Sequence, residues 1–115
     1  MSIARYKVGP RLSQGVKHGD TIYVAGQIAD DATAGVKGQT EQILRKIDDV
    51  LKHFGSDKSK LLSATCYIVD MREFDEMNAA WDAWVVAGST PGRATVEARL
   101  ANSKYLVEIV AIAAV

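Results

Sequence analysis

Two charged residues sit in strand-like surroundings near the end of this chain, and their types suggest hydrolysis. Arg93 lies in Pro91-Gly92-Arg93-Ala94-Thr95-Val96-Glu97, and Glu108 interrupts the apolar run Leu106-Val107-Glu108-Ile109-Val110-Ala111-Ile112-Ala113-Ala114-Val115. Both segments are rich in β-branched and small apolar residues, the composition of strands. A carboxylate inside such a strand must face solvent or find a partner, because an unpaired buried charge is too costly. A fixed cation grips a carboxylate and a glutamate holds a water, which together make a minimal hydrolytic site. The strands are consecutive, joined through Ala101-Asn102-Ser103-Lys104, and are expected to pair as a hairpin. The same two residues also fit a simpler reading, a cross-strand ion pair that fixes register.

Other candidates are weaker. Cys66 stands mid-strand among apolar neighbours, the usual setting of a small buried hydrophobe. A nucleophilic thiol needs a base, and neither His18 in a turn nor His53 at a helix end is placed to serve. Two distant histidines and one thiol offer no metal-ligand spacing. Trp81 and Trp84, at helical spacing, fit core and interface anchors better than a platform for bases. Asn78 is a polar residue beside the apolar stripe of its helix. Gly26 inside a strand pattern implies a bulge, or the close approach of a ligand or another backbone.

The elements that must position these residues follow from hydrophobic period. Ile3 to Val8 and Ser13 to Val16 form early strands. The turn Lys17-His18-Gly19-Asp20 leads into the strand Thr21 to Ile28, and Ala29 to Gly38 is a loop. Ile43, Leu44, Ile47, Val50, Leu51 and Phe54 mark one face of a helix from Gln39 to Phe54, stopped by Gly55. Leu62 to Val69 returns to strand. A second helix is expected from Asp70, with Glu73 completing a capping box, and it runs to Gly88 along Phe74, Met77, Trp81, Trp84 and Val85. The order β-β-β-α-β-α-β-β gives an α/β (α+β) fold, a mixed sheet with two helices on one face.

At 115 residues the chain is expected to be a single domain, residues 1–115. Fourteen basic residues balance fourteen acidic ones, so no basic excess points to nucleic acid. No stretch approaches the roughly 18 apolar residues of a membrane span. The N-terminus lacks a signal-peptide core, and the lone cysteine fits a reducing compartment, so the expected location is the cytoplasm. The last strand is apolar on both faces apart from Glu108, which two helices on one side cannot cover. Self-association is the economical explanation.

These segments together resemble the RidA/YjgF family of reactive-intermediate deaminases. The resemblance rests on Val24-Ala25-Gly26-Gln27-Ile28, Gly55, Val69-Asp70-Met71 with Phe74 and Asn78, Arg93-Ala94-Thr95-Val96-Glu97 and Val107-Glu108-Ile109. The stretch Asn78 to Gly88 is similar to the YoaB-like branch. The resemblance implies a chorismate-mutase-like fold and a homotrimer with clefts between subunits. It also implies hydrolysis of 2-imino or enamino acids to 2-oxo acids and ammonia, with no cofactor or metal. It assigns Arg93 to the substrate carboxylate, Glu108 to the attacking water, backbone around Gly26 and Thr95 to the pocket lining, and Asn78 to its edge. Leu12, in Gly9-Pro10-Arg11-Leu12-Ser13-Gln14, stands where the family carries a tyrosine, and Ala29 where it carries a proline. Both departures reshape the pocket mouth. A non-catalytic sensor of small carboxylic acids, using the same clefts, is the competing reading. An RNA-acting role fits poorly with a neutral chain.

Overall fold

The computed structural model describes residues 1–115. Eight main elements follow in order: β1 (Ile3–Val8), β2 (Ser13–His18), β3 (Thr21–Gln27), α1 (Val36–His53), β4 (Leu61–Ile68), α2 (Phe74–Trp84), β5 (Gly92–Glu97) and β6 (Val107–Ala114). All six strands join one sheet in the order β1-β2-β3-β6-β4-β5. Every neighbouring pair is antiparallel except β4 with β5. This is the expected mixed sheet with two helices on one face.

Burial alternates along the strands. Val107, Ile109, Ala111 and Ala113 of β6 are buried, as are Ala64, Cys66 and Ile68 of β4 and Ile22 and Val24 of β3. These side chains meet Ile43, Leu44, Ile47, Val50 and Leu51 of α1 and Met77 and Trp81 of α2 in one core. The intervening residues Glu108, Val110, Ile112 and Ala114 point to the opposite face and are only half-buried. Tyr23 and Val96 are exposed on that same face. The face is therefore largely apolar and uncovered within one chain.

The expected hairpin between the last two strands does not form. β6 pairs with β3 and β4, and β5 lies beyond β4 as a parallel edge strand. The reason is apolar content: β6 is buried at every second position and flanked by strands on both sides, whereas β5 has four exposed residues of six. The second helix also differs at both ends. Asp70 caps a short 3₁₀ turn, Met71–Glu73, by accepting a hydrogen bond from the Arg72 backbone N–H at 2.9 Å. Glu73 makes no capping box, and α2 starts at Phe74 without a side-chain cap. It stops at Trp84, and Gly88 takes its positive φ of 82° in the following loop.

Candidate functional site

Arg93 opposes Ala64 across the parallel β4–β5 pair, so its side chain rises on the helix-covered face. Ala64 is small, which leaves room for the guanidinium to reach α2. There Arg93 Nη1 donates to Asn78 Oδ1 at 2.9 Å. The guanidinium carbon lies 5.1 Å from the Trp81 ring centre and 5.8 Å from that of Phe74. Phe74, Asn78 and Trp81 follow i, i+4, i+7 spacing, one face of α2. The two ion pairs of the chain are Lys46–Asp30 and Arg72–Asp70, so Arg93 is held without a carboxylate partner.

Thr95, two residues along β5, shares this face and opposes Cys66. Its hydroxyl oxygen is buried and has no hydrogen-bond partner of good geometry. Burial pushes the Cys66 thiol above its ordinary pKa, against smaller opposing effects of the Arg93 charge and the Thr95 hydroxyl. A thiol kept protonated is a poor nucleophile, which agrees with the core reading of Cys66.

Glu108 lies elsewhere. It opposes Tyr67 on β4 and points to the open face of the sheet. Its side chain folds over Gly26: a Cβ built there would overlap the carboxylate and approach Cδ to 3.0 Å. The pairing of β3 with β6 shifts register between Val24 and Gln27, so Gly26 is both bulge and close approach. The buried Gln27 amide fastens this bulge, donating to Gln14 Oε1 at 2.9 Å and to the Ala25 carbonyl at 3.0 Å. Gln14 belongs to the segment in which Leu12, 55% exposed, replaces the tyrosine of the family resemblance.

The five expected residues thus fall into two groups on opposite faces. Arg93 and Thr95 of β5 share the helix-covered face with Asn78 of α2, and Glu108 lies with Gly26 on the open face. No Arg93–Glu108 ion pair exists, because β4 separates their strands. Composition did not reveal three contributors. Trp81 and Phe74 carry ordinary core spacing, yet they face the guanidinium. Gln39 is wholly buried. Its amide donates to the carbonyls of Ala34 at 3.0 Å and Lys104 at 3.1 Å and accepts from the Leu106 N–H at 2.9 Å. It thereby fixes the entry of β6 just before Glu108.

The sequence profile described as Endoribonuclease L-PSP matches residues 3–115. The RutC family protein YoaB of Escherichia coli is 46% identical over 115 residues, covering 100% of both chains. This chain belongs to the YjgF/RidA family. A YjgF-family protein from Neisseria meningitidis superposes with a TM-score of 0.94 at 41% identity, covering 99% of this chain and 95% of that one. An uncharacterized protein from Pseudomonas aeruginosa gives 0.96 at 35% identity, with 98% of each chain covered. YjgF/RidA membership accounts for the whole architecture, and the full-length likeness to YoaB agrees with the branch suggested by the residues after Asn78.

Proposed function

We propose that the protein hydrolyses small 2-imino and enamino acids to 2-oxo acids and ammonia, at clefts between the subunits of a homotrimer. The observation that carries this reading is Arg93: a guanidinium fixed by an amide and two aromatic rings, with no acid to neutralise it. Its planar donors match a substrate carboxylate, a geometry that lysine does not reproduce. Glu108, lodged over Gly26, comes from a neighbouring subunit. It accepts a proton from water as the water oxygen bonds to the imine carbon. From the N-protonated imine this gives a neutral carbinolamine, which takes that proton on nitrogen. Its hydroxyl proton then passes to Glu108 as the carbonyl forms, the C–N bond breaks, ammonia leaves, and Glu108 returns the proton to solvent. An enamino acid first gains a proton on carbon to become the same N-protonated imine. The imine is already electrophilic, so orientation and delivery of water supply the catalysis.

Leu12 favours a second reading. Without the family's tyrosine the exposed segment closes less fully over a ligand, which suits a carboxylate sensor that turns nothing over. The balanced charge of the chain supports a small-carboxylate ligand over RNA, despite the nuclease name attached to the family profile. The deciding experiment generates 2-aminoacrylate in situ and follows imine decay and ammonia release. Acceleration by the wild-type protein but not by Arg93→Ala supports the deaminase. Binding of 2-oxobutanoate with no acceleration supports the sensor.

A further inference from the structure

We infer that Trp81 is a positioning residue for Arg93, holding the cation over its ring so that the unused donors of the guanidinium meet a carboxylate. This inference rests on the proposed role of Arg93. A guanidinium presents two flat faces and a rim of in-plane N–H donors. Here Trp81 and Phe74 lie 5.1 and 5.8 Å from its carbon, and Asn78 takes one Nη1 donor at 2.9 Å. An acidic neighbour would also fix the side chain, but it would occupy the donors and cancel the charge. Aromatic faces attract the cation and leave both available.

Trp81 is itself held firmly. It is 6% exposed and packs against Trp84 at 5.5 Å between ring centres. The Trp84 indole N–H donates to Asp48 Oδ2 of α1 at 3.0 Å. A continuous path of packed groups therefore runs from α1 through Trp84 and Trp81 to Arg93. A core residue of the same size needs no such alignment with a cation.

The test compares Trp81→Leu, Trp81→Phe and Phe74→Leu with the wild type and Arg93→Ala. Calorimetric binding of 2-oxobutanoate is measured beside melting temperature and imine decay. Trp81→Leu is expected to weaken binding by about tenfold. Trp81→Phe, which restores a ring, is expected to stay within about threefold of wild type although it too lowers the melting temperature. Should Trp81→Leu fail to fold, the half-buried Phe74→Leu removes the other ring beside the cation and is expected to weaken binding. Equal binding by wild type and the leucine variants overturns the inference, as does a Trp81→Phe defect as large as that of Trp81→Leu. Arg93-dependent binding without imine decay removes the deaminase reading and leaves the positioning role to be decided by the same titrations. A wild type that binds no 2-oxobutanoate overturns the positioning role, while imine decay still judges the deaminase.

Discussion

The position of the Glu108 carboxylate depends on one neighbour, Gly26, since a methyl there overlaps it. Gly26→Ala should displace that carboxylate and abolish imine hydrolysis while 2-oxobutanoate binding through Arg93 persists. Wild-type turnover in Gly26→Ala would show that the carboxylate position is immaterial. Glu108→Gln retains the shape and loses the proton acceptor, so its turnover should fall roughly 10²–10⁴-fold with binding intact. Cys66 gives a pH signature. Its folded pKa is raised chiefly by burial, so the fold favours the protonated thiol. That contribution is complete below the unfolded thiol value of about 8.5 and is lost as pH rises above it. Urea unfolding should therefore show an alkaline loss of stability that is smaller in Cys66→Ala. Arg93 and Glu108 were legible as chemistry because charges are rare in strand patterns. Trp81 was not, since a tryptophan on an apolar stripe has the same spacing whether it meets leucine or arginine.

Between elements, the decisive contacts join the ends of secondary structure. Gln39 satisfies the carbonyls of Ala34 and Lys104 and the N–H of Leu106, tying two loops to the first turn of α1. Gln39→Leu leaves these part-buried groups without the buried amide that joins them and should cost about 1 kcal/mol or more in urea unfolding. It should also reduce turnover, because the loosened loop leads directly to Glu108. Unchanged stability would mean that water replaces the amide. Element identity was legible from period: α1 shows helical spacing, and β4 and β6 alternate once paired. The pairing of β5 was not. Sequential neighbours suggest a hairpin, but the doubly apolar β6 is worth more in the sheet interior, and α2 carries the chain so that β5 aligns parallel to β4. Helix caps misled for a local reason. Asp70 does cap, but the three residues after it tighten into a 3₁₀ turn and leave α2 to start at Phe74.

At the scale of the molecule, the two groups of site residues face opposite ways, so the proposed chemistry requires assembly. The apolar open face, with Val110, Ile112 and Ala114 uncovered, supplies the surface for it. Light scattering should report about three times the 12.4 kDa chain mass, and a monomer with full activity would overturn the shared cleft. A stricter test mixes two inactive proteins. Arg93→Ala keeps Glu108, and Glu108→Gln keeps Arg93. If each cleft takes Arg93 from one subunit and Glu108 from the next, subunit exchange by joint unfolding and refolding creates clefts that hold both. Random assortment in a closed ring restores about a quarter of the clefts, and activity should rise to about that fraction of wild type. Homotrimers of either variant alone should stay inactive. A mixture that remains inactive, although mixed oligomers are detected by mass, would place both residues in the same subunit's site and defeat the arrangement proposed here.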